Sequence, residues 1–284
     1  MGDETRLAEF IRGASRLPVL PRVTIRLLET VDSPDSTAID IAGIIGADPS
    51  LSVRLLKLAN SPFYGQRRIS TVRNAVVILG SKTIRSLALA LWTHSLRSKS
   101  RDLEEKLLAA PLLAHGLATG VAAGMLAESF NRELGEDAFM AGLLHDIGRV
   151  ALVTQMGKEY RTAILDPAER AGRVLHQQED AVLGFDHRAL GSALMASWGL
   201  PPFLADVAER HHDGGIVPQD QFFVAAVALA DTLSTRTGIN LAPEIPRPNQ
   251  DDIAAFFGLQ DEDAVAEFMQ KCVNRVKTYT EALQ

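Results

Sequence analysis

One cysteine in 284 residues, Cys272, rules out an internal disulfide framework and fits a reducing compartment. No uninterrupted apolar stretch approaches the roughly 20 residues of a membrane span. The opening segment MGDETRLAEF is polar and acidic, without the apolar core of a signal peptide. Arg6 also stands where a myristoylation pattern needs Ser or Thr. These absences lead to the expectation of a cytoplasmic protein with no membrane partner. Strand signals are missing as well. No segment alternates strictly between apolar and polar residues, and no Asn-Gly or Asp-Gly pair separates two alternating runs. An all-α fold is the class that remains.

Acidic residues vanish from one whole segment. Residues 51 to 101 hold ten Lys or Arg and no Asp or Glu, although the chain carries a net charge of −6. The remainder has 19 basic and 35 acidic residues. Such asymmetry can mark an anion-facing surface. A solvated helix face that docks on the acidic part of the same chain is the plainer reading, because no aromatic platform for bases interleaves the charges. Nucleic acid is therefore not the expected partner. A nucleic-acid-binding regulator using residues 51–101 stands last among three functional readings.

What is present reads as a succession of helices. Residues 38 to 47 give one short helix. Asp48-Pro49 supplies an N-cap and a proline at the first helical position, starting a second helix with Leu51, Leu55, Leu56 and Leu58 on its apolar side. It ends near Asn60-Ser61-Pro62. Thr71 to Leu79 is a helix stopped by Gly80, and Ser81 caps the next, running to about Leu96. The polar stretch Arg97 to Asp102 divides the chain into an N-terminal helical part, 1–101, and a helical core with C-terminal helices, 102–284. A long helix then runs through His115 to about Phe130, and another from Ala138 to about Val153. Asp166-Pro167 opens one more, and Asp186 caps a helix with His187, Leu190 and Leu194. Pro202 starts a helix ending near His212, and Asp213-Gly214-Gly215 is a loop. Val224 to Leu233 is apolar and helical. Pro243 to Pro248 forms a linker before a final amphipathic helix from about Asp261.

Five of the seven histidines fall with two aspartates into one order: His115, His145-Asp146, His187, His211-His212, Asp231. His94 and His176 stand outside it and read as ordinary. The His145-Asp146 pair lies between Ala141-Gly142-Leu143-Leu144 and Ile147-Gly148, so both polar residues are placed within a buried helix. Burying a charged Asp costs several kcal/mol unless it is paired or binds a metal. A His-Asp hydrogen bond that merely fixes packing explains the pair alone. His115 and Asp231 are two further intrusions, in PLLAHGLATGVAAGM and VAAVALADTL. All four satisfy one another by converging on a cation, since histidine and carboxylate build mixed nitrogen/oxygen sites. His187, His211 and His212 form a second group near loop ends, where an exposed histidine costs nothing.

The sequence resembles the HD superfamily of metal-dependent phosphohydrolases, and more closely the HDOD (HD-related output) domains of bacterial signalling proteins. The resemblance is carried by LPVLPRVTIRLLETVDSPD at 17–35, IGADPSLSVRLLKLANSPFYG at 46–65 and ISTVRNAVVILGSKTIRSLAL at 69–89. AGLLHDIGRVAL at 141–152, LGFDHRALGSALMASWGLP at 183–201 and His211-His212 complete it. It implies a multi-helix HD-type bundle with an additional N-terminal helical subdomain. From relatives that hydrolyse cyclic-di-GMP, the HD-GYP proteins, it implies a first metal held by His115, His145, Asp146 and Asp231. A second would be held by His187, His211 and His212, with Asp146 bridging. Fe, Mn, Zn and Ni all suit such ligands.

Two departures weigh against turnover. Active HD-GYP proteins carry a lysine right after the HDIG, where this chain has Arg149, and the GYP motif is absent from Asp213-Gly214-Gly215-Ile216-Val217-Pro218. Arginine keeps the charge but not the geometry of a point-like ammonium. The leading reading is a non-catalytic signal-transduction protein with a retained His/Asp metal site, an unidentified signalling protein as partner, and a nucleotide as a further candidate ligand. The runner-up is a metal-dependent phosphodiesterase acting on a cyclic dinucleotide such as cyclic-di-GMP. In that case Asp146 would serve the metal hydroxide and Arg149 would hold phosphate.

Overall fold

The computed structural model describes residues 3–64, 68–97, 100, 103–213, 216, 218–236 and 250–283. Among these every regular element is helical. In chain order they are α1 (Asp3–Gly13), α2 (Arg22–Asp32), α3 (Ala38–Gly46), α4 (Pro49–Ala59), α5 (Val72–Leu96), α6 (Leu103–Phe130), α7 (Gly135–Leu144) and α8 (Ile147–Met156). There follow α9 (Lys158–Tyr160), which runs on into a π-turn at Arg161–Leu165, then α10 (Asp166–Ala171), α11 (Leu175–Leu183), α12 (His187–Ser197) and α13 (Pro202–Arg210). The last are α14 (Phe222–Thr235), α15 (Gln250–Phe256) and α16 (Glu262–Leu283). The chain forms two compact units, Leu20–Ser95 with Phe268–Gln284, and Met1–Val19 with Leu96–Glu267. Of the polar boundary at 97–102, residues 98, 99, 101 and 102 lie outside the described residues. So do Gly214 and Gly215 of the loop after His212, and the linker at 243–248.

In the smaller unit, local chemistry sets the helix ends. Thr37 and Asp40 form a reciprocal capping box on α3, with Thr37 N–H donating to the Asp40 carboxylate at 2.9 Å. Asp48 caps α4, accepting from Ser50 N–H at 2.9 Å and Leu51 N–H at 3.1 Å, while Pro49 fills the first turn without wasting a donor. Gly80, at φ 79° and ψ 164°, breaks α5 where the sequence stops one helix and starts the next. Leu27, Ile45, Leu55, Leu58, Ile84 and Leu87 are each at most 1% exposed and make its core. Each such side chain contributes about 1.5–3 kcal/mol of transfer free energy. By length and composition alone α5 and α6 could cross a membrane; two-thirds of each apolar window is buried in the fold, which accounts for their hydropathy.

The larger unit is organised by glycine seams. Gly116, Gly120 and Gly124, four residues apart on α6, face α7 running the opposite way. A Cβ at Gly116 or Gly120 would stand 2.8 Å from the carbonyl oxygen of Leu143 or Phe139, and one at Gly142 would stand 2.7 Å from that of Thr119. The two backbones therefore touch. α14 packs on both helices, and α13 packs on α12, α7 and α14. α8 meets α12 in the same way, because a Cβ on Gly148 would overlap the His187 carbonyl oxygen.

Candidate metal centre

The sequence places His145 and Asp146 inside one helix from Ala138 to about Val153. The structure corrects this: α7 ends at Leu144, and Asp146, at φ −101° and ψ 18°, leaves helical geometry before α8 begins. The cause lies in the seams. Gly142 pins α7 to α6 and Gly148 pins α8 to α12, so the chain turns between them. Side chains of adjacent residues on a continuous helix diverge by about 100°. The turn brings both onto one cluster, with His145 Nε2 3.6 Å from Asp146 Oδ2.

Three imidazoles share one arrangement. His145 donates its Nδ1–H to the Gly142 carbonyl at 2.7 Å, and His211 donates its Nδ1–H to the Ala208 carbonyl at 2.9 Å. A carbonyl oxygen only accepts, so the opposite nitrogen, Nε2, carries a lone pair. His187, at the first turn of α12, turns its Nδ1 to Glu179 Oε2 at 2.5 Å, and its backbone N–H donates to the same oxygen at 2.9 Å. The Nε2 atoms of His187 and His211 lie 3.4 Å and 3.6 Å from Asp146 Oδ1. All three Nε2 atoms, and Asp146 Oδ1, are buried without a hydrogen-bond partner. A neutral imidazole's lone pair facing carboxylate lone pairs is repelled, and a cation shared between them turns the repulsion into ligation.

The other four residues complete the set. His115, beside Gly116 on α6, donates Nε2–H to Asp231 Oδ1 on α14 at 2.9 Å, and its ring stands 5.3 Å from that of His145. Arg149, one turn into α8, donates Nη1–H to Asp146 Oδ2 at 2.7 Å. His212 is half-buried and stacks on His176, ring centres 5.2 Å apart, so His176 is nearer the cluster than its sequence suggests. One ligand atom from each of Asp146, His187, His211 and His212 falls within 4.8 Å of the others. The same holds for His115, His145 and Asp146, and for His145, His211 and Asp231. Every residue selected from the sequence thus joins one connected cluster, although the third grouping crosses the two sets that the resemblance implies.

Electrostatics divides the imidazoles. Burial pushes His145 down to about 4 against the pull of Asp146. Burial, the largest influence, would also depress His187, but the charge and hydrogen bond of Glu179 together with the Asp146 carboxylate raise that ring. For Asp146, burial favours the neutral acid. The Arg149 guanidinium and His145 oppose it and hold the carboxyl well below the usual range. Glu179 is likewise lowered despite its burial, chiefly by His187.

Glu179 and Tyr160 are functional candidates that the sequence does not single out. Glu179 is fully buried on α11 and accepts from Tyr160 O–H at 2.6 Å as well as from His187. In the polar run HQQED it looks like its solvated neighbours.

A family model described as HDOD domain matches residues 17–214. A crystal structure of an HDOD domain protein from Geobacter sulfurreducens superposes with a TM-score of 0.78, at 28% identity, over 98% of both chains. A protein of Shewanella amazonensis SB2B, described as a proposed phosphohydrolase, matches with a TM-score of 0.73 at 25% identity, again over 98% of each chain. A protein of Treponema pallidum (strain Nichols) is 26% identical over 265 residues. The chain spans about half the length of this curated relative, 49%.

Proposed function

The chain belongs to the HDOD family, and from that premise we propose that it is a non-catalytic signal-relay module built around a buried His/Asp metal centre. His115, His145, Asp146, His187, His211, His212 and Asp231 would hold one or two divalent transition metals. The observation that carries the reading is the set of three imidazole Nε2 atoms turned without partners toward one carboxylate. Burial of six of the seven ligands supports a metal that orders structure rather than one that turns over substrate. His115, His145, Asp146, His187, His211 and Asp231 are all at most 5% exposed, whereas catalytic metal sites keep a position open. The signal would be passed by contact with a signalling protein, and a nucleotide is a candidate ligand. Elemental analysis of protein purified without a histidine tag tests the centre. A stoichiometric transition metal is expected, and its absence would remove the proposal.

One observation favours the second reading, a metal-dependent phosphodiesterase for a cyclic dinucleotide. Arg149 Nε and Nη2 are buried donors without partners beside Asp146, as a phosphate oxygen would require. A bound metal would supply Lewis-acid polarisation and a hydroxide there. Hydrolysis of cyclic-di-GMP with Mn or Fe under reducing conditions, lost on Asp146→Ala, would establish that reading over the first.

A further inference from the structure

The two halves of the cluster differ in what already satisfies them. On the Oδ1 side of Asp146, the carboxylate oxygen and the Nε2 atoms of His187 and His211 have no partners. On the Oδ2 side the ligands are engaged. Arg149 occupies Oδ2 at 2.7 Å, and His115 Nε2 is bonded to Asp231 at 2.9 Å; His145 Nε2 and the other ring nitrogen of His115, Nδ1, are unpartnered. Arg149 is itself 4% exposed, so its charge is not screened by solvent.

We propose that Arg149 acts as a built-in counter-cation that makes the centre unequal. One metal binds tightly through Asp146 Oδ1, His187, His211 and His212. A second binds weakly among His115, His145, Asp231 and Asp146 Oδ2. At the tight position Asp146 Oδ1 and the Nε2 atoms of His187 and His211 have no hydrogen bond to break. The weak one must share Oδ2 with a guanidinium, break the existing His115–Asp231 contact and stand beside both a buried cation and the first metal. Guanidinium cannot yield by deprotonation, as a lysine ammonium at the same place could. The residue after the HDIG thereby sets how many metals the centre takes. This deepens the metal-centre reading above and rests on it.

The test is calorimetric titration of chelator-treated protein with Mn2+ alone, with elemental counts after gel filtration and a thermal melt of each variant. The native protein should take up one Mn2+ tightly and a second at least about tenfold to a hundredfold more weakly, the range over which groups bonded to ligands move metal affinity. His211→Gln should abolish the tight uptake, and Asp231→Asn the weak one. Arg149→Gln should bring the second affinity toward the first. Should that variant not fold, the His211 and Asp231 pair decides whether the positions are unequal, and Arg149→Lys replaces it as the test of the cause. Two equal sites in the native protein would overturn the inference while leaving the metal centre standing. So would tight uptake lost in Asp231→Asn and kept in His211→Gln. No Mn2+ uptake by folded native protein would overturn both.

Discussion

The two compact units bury different chemistry. Among the described residues, the unit Leu20–Ser95 with Phe268–Gln284 buries no Asp, Glu, His, Lys or Arg; its buried polar side chains are the hydroxyls of Thr24, Thr83, Ser86 and Thr93. The other unit buries Glu105, His115, His145, Asp146, Arg149, Glu179, Asp186, His187, His211 and Asp231. A hydroxyl can satisfy itself locally, as Thr93 does by donating to the Ala90 carbonyl at 3.0 Å, and an unsatisfied one such as Ser86 Oγ leaves no charge buried. Buried charges need partners brought from distant helices, and here α6, α8, α11, α12 and α14 all contribute to the centre. The contrast teaches that one unit is held by apolar burial and caps, while the other keeps a polar centre that only a precise arrangement, or a bound cation, makes tolerable.

The largest expected effect breaks the polar side of this contrast. Asp146→Ala removes the shared carboxylate and leaves Arg149 buried and unpaired. We expect a loss of about 3–5 kcal/mol in chemical denaturation together with loss of bound metal. Unchanged stability would mean that the centre costs the fold nothing, and the contrast would dissolve. The matching change in the apolar unit is Leu58→Ala, at a fully buried position. It should cost about 2–5 kcal/mol by cavity formation and leave the metal content per folded molecule as it was. A fall in metal content would show that the two units do not separate stability from the centre.

Glu179→Gln sharpens the contrast with a smaller change. The amide keeps the shape and an acceptor for His187 Nδ1–H but removes the charge that raises His187. Metal affinity should fall about tenfold to a hundredfold, measured by Mn2+ titration, with less loss of thermal stability than Leu58→Ala. Equal affinity would reduce Glu179 to a packing residue. The sign is worked from the neighbours: Glu179 sits below the usual carboxylate range because of His187, so it is ionised at neutral pH and strengthens that imidazole as a donor.

Much of this could be read from residues alone, and the limits are physical. Asp48, Gly80, Asp186 and Pro202 mark helix ends in the sequence because capping and backbone freedom are local properties; Asp186 indeed accepts from Arg188 N–H at 3.0 Å and Ala189 N–H at 3.1 Å. His115, His145, Asp146 and Asp231 were legible as ligand candidates because imidazole and carboxylate are expensive in apolar helices, whereas His187, His211 and His212 entered through the resemblance. The break between α7 and α8 was not, since it is imposed by Gly142 and Gly148 meeting α6 and α12, which are remote in sequence. Glu179 was hidden for the same reason: its burial depends on Tyr160 and His187 arriving from elsewhere. The interleaving of the units, with residues 268–284 joining 20–95, has no local signature at all.

The smallest effect tests the unit that relies on caps. Thr37→Ala removes the hydroxyl that accepts from Asp40 N–H, and a lost N-cap typically costs about 1 kcal/mol. Asp40 is exposed, and its pKa is lowered chiefly by the hydrogen bond from the Thr37 side chain and then by the one from its backbone. Its folded pKa thus lies below the unfolded value, so the stabilisation from ionised Asp40 is complete above the ordinary carboxylate range. It disappears as pH falls through the lowered folded pKa. The gap in stability between the native protein and Thr37→Ala, followed by urea denaturation, should therefore narrow on acidification. The metal count at neutral pH should not change. A gap that widens at low pH would mean that Asp40 favours α3 as a neutral acid, contrary to the reciprocal bonds it makes with Thr37.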